Sequence, residues 1–320
     1  MNIPNLPVPE HSSQGVIDST KIQCYQSCPR QFFYEYVLGW RSARPNNHLF
    51  FGAAVHEALE HIILNGYRTQ SVMEAFELFN AKYREVFPES TDILYSPKTP
   101  ARFMDMMILY LSKYQDDLDK YEVYKTEFGG TIQLSETHSM AFKMDTILQN
   151  LETGLYFSLE HKTKGGNYIG NSYTVDFEMG IQLGCYTHVL NCLFPPEQVE
   201  GVTINCMCFK KTKQPDYILK RFPINLTNSQ MYIWLENTKR WIDMIEADYQ
   251  ELSTVSDSTE RMNCFTMNGR SCSNWGRTCL YYDLCTSWQN PVAHQDKLPA
   301  NMEVSFWNPL EEELREKMTL

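Results

Sequence analysis

The sequence predicts an α/β fold: a mixed central sheet flanked by helices, with a helical N-terminal part and a Cys-rich C-terminal region. Three observations carry this expectation. Helical patterns dominate residues 17–120, short strand-like runs take over from residue 121, and one helical stretch separates those strands from a later strand pair. This order lacks the repeated βα alternation of a doubly wound fold.

The first 15 residues hold three prolines and no apolar periodicity, so 1–16 are expected to be a flexible arm. Asp18, Ser19 or Thr20 is placed to cap a helix running through Cys24, Cys28 and Phe32, with Pro29 as a kink or break. Residues 51–66, 71–87 and 100–120 read as helices, the first stopped by Gly66. Residues 121–128, 131–137, 140–149 and 155–162 read as strands, with Gly129-Gly130, Ser139 and 150–154 as turns. A helix over 174–193 follows, then strands over 201–211 and 217–224 joined by a hairpin loop at 211–215. Residues 227–250 form a long amphipathic helix, 253–262 a polar linker, and 264–288 an irregular segment rich in Cys and aromatics. A single domain is expected over 17–290, with 291–320 as a tail.

Composition narrows the function classes. The 320 residues are 43% hydrophobic and 21% charged, which excludes a wholly disordered chain, a collagen and a coiled coil. No apolar run reaches membrane-spanning length and the first residues lack a signal-peptide pattern, so a cytoplasmic protein (host cytoplasm for a viral chain) without a membrane partner is expected. The net charge of −11 argues against a protein that coats nucleic acid broadly, but leaves room for metal ions and a local basic groove. Ten cysteines without an export signal favour metal binding or burial over a disulfide framework.

Asp145 lies in the apolar run 141–148, and Glu160 and Lys162 end the next strand. Residues two apart on a strand share a face, and neighbouring-strand pairing can bring Asp145 beside them. Two carboxylates suit Mg²⁺ or Mn²⁺, and an adjacent lysine orients or deprotonates water or stabilises charge developing on a phosphate. The bland alternative is a set of solvent-facing charges. Basic residues cluster near this set: Lys164, Lys210, Lys211 and Lys213 are candidate phosphate contacts. Tyr168, Tyr173 and Trp275 are candidate stacking residues.

Five pieces in order resemble the RecB-type branch of the PD-(D/E)xK nucleases. They are Ser27-Cys28-Pro29-Arg30-Gln31-Phe32-Phe33-Tyr34, then Gly52 with His56 and Glu60, then Asp145, then Glu160-His161-Lys162-Thr163, then Gln182 with Tyr186. Met144 and Phe142 stand where relatives often have Pro and Gly. The resemblance implies a restriction-endonuclease-like core and a Mg²⁺- or Mn²⁺-dependent deoxyribonuclease acting on single-stranded DNA or DNA ends, in recombination, repair or replication. It implies Asp145, Glu160 and Lys162 as the catalytic set, with Gln182 and Tyr186 supporting substrate and lysine. His56 would join Asp145 and Glu160 at the metal, and Glu127 would be an accessory acid. A separate helicase or recombination protein is the implied partner. A catalytically silent DNA-end-binding or scaffold subunit is the rival reading.

Cys264, Cys272, Cys279 and Cys285 are spaced C-x₇-C-x₆-C-x₅-C, without the paired C-x₂-C knuckles of zinc ribbons. Iron–sulfur members of the resembled branch, such as AddB and the CRISPR-adaptation nucleases, take one ligand before the nuclease core and three after it. The resemblance therefore assigns Cys28, Cys272, Cys279 and Cys285 to a 4Fe–4S cluster, with Cys24 or Cys264 as a substitute for Cys28. Structural zinc at the same thiols, or plain burial, remains the alternative.

Overall fold

The computed structural model describes residues 1, 3–212, 216–274, 276–310 and 317–319. The chain divides into two compact units, each built from separate segments: 1–44, 129–142 and 231–320 form one, and 45–128 and 143–230 the other.

The second unit begins with α1 (Asn47–Asn65), α2 (Thr69–Arg84) and α3 (Pro100–Tyr114). The Asn46 side chain caps α1, and Gly66, at φ 91°, closes it by donating its N–H to the Ile62 carbonyl. Thr99 caps α3 and Pro100 occupies its first turn, where the missing N–H costs nothing. On α1, Phe51, Val55, Ala58, Leu59 and Ile62 recur at helical spacing, and all are buried. Phe51 meets Phe79, Tyr83, Phe103 and Phe209 edge-on at 5.2–6.1 Å. Phe51→Ala should therefore destabilise the protein by about 3–5 kcal/mol, as large-to-small core changes do. Urea unfolding measures this, with Phe51→Leu expected to cost clearly less.

The central strands are β1 (Tyr121–Gln133), β2 (Ser139–Asn150), β3 (Tyr156–Gly165), β4 (Val199–Phe209) and β5 (Tyr217–Ile224), in that spatial order. Lys317–Thr319 adds a parallel segment beside Gly129–Thr131. β2 and β3 are antiparallel, as are β4 and β5, whereas β3 and β4 are parallel. The parallel pair requires a crossover, which α4 (Ile181–Leu193) and the helix before it supply. This is the mixed sheet flanked by helices that the sequence predicts.

Three local expectations fail. Gly129-Gly130 is not a turn, because β1 runs straight through it; the irregularity falls at Glu127, whose φ is 48°. The helix expected over 174–193 is two helices, Asn171–Glu178 and α4, broken where extended Gly180 caps the second. A Cβ at Gly180 would lie 3.2 Å from the Asp176 carbonyl oxygen, so glycine suits the tight break. Residues 3–16 are not a loose arm either. Gln14 is buried and its amide donates to the carbonyls of Pro9 and Val37, 3.0 and 2.8 Å away.

Within the first unit the late residues are also tied down. Met302–Val304 pairs with Trp40–Ser42, Phe306 stacks on His11, and the Trp307 indole donates to Asp18. Among the described residues, no helix is long and apolar enough to cross a membrane.

Candidate active site and cysteine cluster

The predicted acidic residues meet on the sheet of the second unit. The antiparallel register runs to Thr146 opposite Leu159, which sets Asp145 opposite Glu160 one step further on. Both carboxylates are buried, at 8% and 2% exposure. Asp145 Oδ1 lies 3.0 Å from His56 Nδ1, and its Oδ2 accepts the His161 main-chain N–H at 2.7 Å. Burial alone would raise the Asp145 pKa, but His56, with its charge and hydrogen bond, and His161 outweigh it and hold the carboxyl below its usual range. Burial and the Asp145 charge instead push Glu160 up to about 7, against the pull of Lys162.

Lys162 donates to Glu160 Oε1 at 2.6 Å and to Gln182 Oε1 at 2.9 Å. The Gln182 amide nitrogen lies 3.1 Å from the same Glu160 oxygen and 2.9 Å from the Tyr186 hydroxyl. Tyr186 in turn donates to the Lys143 carbonyl, and the Lys143 ammonium pairs with Glu127 at 3.3 Å. Gln182 and Tyr186, one turn apart on α4, thus brace the lysine. Glu127 is buried and joins the set through Lys143. Glu160 Oε2 is buried with no hydrogen-bond partner among the described residues, as expected of an atom that faces a cation.

The proposed phosphate contacts are less uniform. Lys164 stacks over the Tyr173 ring at 4.2 Å, and Lys210 is paired with Asp216 at 2.5 Å. Lys211 and Tyr168 are exposed. Lys213 and Trp275 lie outside the described residues.

Sequence reasoning missed what lies behind this set. His161 faces Asn205, and Asn205 faces Arg221, in register across three strands. Burial pushes the His161 imidazole down to about 3. Lys98 is also buried, with its ammonium 3.0 Å from the Thr163 hydroxyl. The histidine inside the E-x-K tripeptide was the available signal for the row. In the other unit, His138, Asp243 and Glu246 bring one ligand atom each within 4.8 Å of the others. That group lies in a different unit from the expected metal residues, and His138 Nε2 and Asp243 Oδ1 in it are 2.8 Å apart.

The cysteines assemble in the first unit. The helix Ser19–Ser27 ends when the Cys28 N–H bonds the Cys24 carbonyl, and Pro29 opens the next helix at its first position. Cys28 is therefore extended, and its sulfur accepts the Asn268 N–H at 3.4 Å. Ser273 pairs with Thr278 and Asn274 with Arg277, so a hairpin brings Cys272 next to Cys279 despite their long spacing. The Cys279 N–H bonds the Cys272 carbonyl at 2.9 Å. Cys285 follows on a short helix. None of the four is in a disulfide. Burial pushes Cys285 up to about 12, and Cys28, Cys279 and Cys272 add to the rise. Cys24 is near Cys28 and Cys279 as well. Cys264 is buried, and the Asp248 and Glu251 charges add to the rise that burial causes in its thiol.

The sequence matches the PD-(D/E)XK nuclease superfamily over residues 19–286. The chain belongs to the PD-(D/E)XK nuclease superfamily. No curated protein matches it. A solved structure from Eubacterium rectale, described as a "Putative exonuclease", is similar at 12% identity and a TM-score of 0.46, covering 87% of this chain and 95% of that one. Asp145, Glu160 and Lys162, the set expected from the sequence, are brought together by the sheet.

Proposed function

We propose that the protein is a Mg²⁺- or Mn²⁺-dependent deoxyribonuclease of the RecB-type branch, hydrolysing phosphodiester bonds at DNA ends or in single strands. The observation that carries this reading is the buried pair of Asp145 and Glu160, set side by side with a lysine braced by Gln182. Neighbouring buried carboxylates resist being ionised together, and a divalent cation removes that conflict. Asp145 and Glu160 would hold the ion, with His56 beside them. Such an ion, when bound, polarises the phosphate and lowers the pKa of a water.

The chain's own residues do the rest. An ammonium has three hydrogens to donate; Lys162 uses two on Glu160 and Gln182. The third is left for the attacking water or a phosphate oxygen. Gln182 and Tyr186 fix where that hydrogen points. Digestion of labelled single- and double-stranded DNA with Mn²⁺, against an EDTA control, tests the reading. Strong metal-dependent cleavage is expected, and binding without cleavage in any divalent metal would favour the scaffold alternative.

We also assign Cys28, Cys272, Cys279 and Cys285 to a 4Fe–4S cluster. A separate helicase or recombination protein would present the DNA, in recombination, repair or replication. Lys164, Lys210, Lys211 and Lys213 are proposed to meet phosphate. Each phosphate contact on a single strand adds about 0.7 to the log–log salt slope of binding. Changing Lys210, Lys211 and Lys213 together to Ala should lower that slope and weaken binding alike across sequences. An unchanged slope would remove this loop from the DNA path.

A further inference from the structure

The face of β3 and β4 opposite Glu160 and Lys162 carries buried Leu159, Met207 and Phe209. A polar row interrupts it: His161 on β3, Asn205 on β4 and Arg221 on β5 are register partners. Arg221 donates to Asp117 Oδ1 at 3.0 Å and, through Nε, to Asn205 Oδ1 at 3.3 Å. A guanidinium only donates, so the Asn205 oxygen must face it. The Asn205 amide then faces the other way and donates to the Tyr110 hydroxyl at 3.2 Å and to His161 Nδ1 at 2.9 Å. His161 Nδ1 is thereby an acceptor, and the ring proton sits on Nε2. That Nε2 is buried and has no hydrogen-bond partner among the described residues. An unsatisfied buried donor costs stability, and apolar residues of similar shape would avoid the cost. Packing alone does not account for the row.

What the row holds is the peptide of His161, whose N–H, together with His56, fixes Asp145. We infer that His161 is a positioning residue, anchored through Asn205 and Arg221 to Asp117, that sets the orientation of the Asp145 carboxylate toward a divalent cation. The inference rests on the reading of Asp145 as a metal ligand. Partners behind a ligand commonly change metal affinity 10- to 100-fold when removed.

The test is Mn²⁺ binding to the full chain by isothermal titration, beside cleavage rates at rising Mn²⁺. Two variants are compared with the parent. The pair His161→Leu with Asn205→Leu removes the anchor without leaving a lone polar group. The single change His161→Gln keeps an acceptor for Asn205. In the Leu pair the apparent Kd for Mn²⁺ should rise about 10- to 100-fold, with most of the lost rate recovered at high Mn²⁺. His161→Gln should restore most of the affinity. A purely structural role would instead lower thermal stability and leave the Kd of the folded protein alone. Parent-like Mn²⁺ affinity in the folded Leu pair overturns the inference. If the Leu pair does not fold, parent-like affinity in His161→Gln together with unchanged affinity in Asn205→Leu overturns it. A parent chain that binds no Mn²⁺ defeats the metal reading of Asp145 itself, which is a separate outcome.

Discussion

Lys162→Ala and Asp145→Ala are each expected to reduce metal-dependent DNA cleavage by about 10³-fold or more while the protein stays folded. The size follows from the position of each group. One well-aimed donor to developing charge in a dry site is worth about 10²–10³ in rate, and Lys162 also neutralises buried Glu160 at 2.6 Å. Without the lysine, Glu160 keeps the Gln182 amide near its bonded oxygen. Burial and Asp145 already push that carboxyl up to about 7, so the group can take a proton instead of unfolding the sheet. Asp145→Ala acts on the other half of the pair, removing a carboxylate fixed by His56 and the His161 N–H. The apolar core of this unit centres on Phe51, Phe79 and Phe103, and neither change removes any of those side chains. Thermal midpoints should therefore move little. Initial rates on labelled DNA in Mn²⁺, with circular dichroism of the same samples, make the measurement. Near-native cleavage by either variant would mean that the reaction is run elsewhere.

Much of this site was legible because its parts obey short-range rules. Glu160 and Lys162 share a face by strand alternation, and Asp145 falls opposite Glu160 once a short turn at 150–154 joins antiparallel strands. His56, Gln182 and Tyr186 follow from helical spacing plus the family pattern. The row His161–Asn205–Arg221 was not legible, since it depends on the register of a parallel pair whose partners lie over 40 residues apart. Nothing local in the sequence specifies that offset. Turn chemistry misled at Gly129-Gly130, where tertiary pairing keeps both glycines in a strand. The cysteine spacing presented the opposite case. Cys272-x₆-Cys279 departs from the tight family pair, yet the hairpin between them restores the proximity that the spacing hides.

Cys279→Ser or Cys285→Ser is expected to strip most of the bound metal, bleach a brown protein prepared anaerobically, and lower its thermal midpoint by about 10 °C or more. A lost structural metal site is among the few single changes that cost over about 4 kcal/mol, and about 1 kcal/mol moves Tm by roughly 2–4 °C in domains of 150–250 residues. The physical case begins with the thiols. Cys285 is pushed up to about 12 by burial and by the neighbouring Cys28, Cys279 and Cys272, against the pull of Arg30, so this thiol resists ionising. A metal centre reverses this by stabilising thiolates, and its binding free energy becomes folding free energy. The ligands also come from distant parts of the chain, since Cys28 precedes the others by over 240 residues, and closing a loop that long favours a clip in principle. Iron and acid-labile sulfide in the parent protein, with broad absorbance near ~400 nm, are the expected composition. Stoichiometric zinc without sulfide would replace the cluster with a zinc site at the same thiols, and a metal-free parent would leave them as buried cysteines. The remaining ligand is separable by the same assay. Cys264→Ser should keep its metal, because the charges that act most on Cys264 are those of Asp248 and Glu251, whereas Cys28, Cys272 and Cys279 act on Cys285. Cys28→Ser should lose it, because the Cys28 sulfur is where the break at Pro29 and the Asn268 N–H direct it. Retention of the metal in Cys28→Ser but not in Cys24→Ser would move the fourth ligand back one helical turn, to the cysteine whose carbonyl closes that helix.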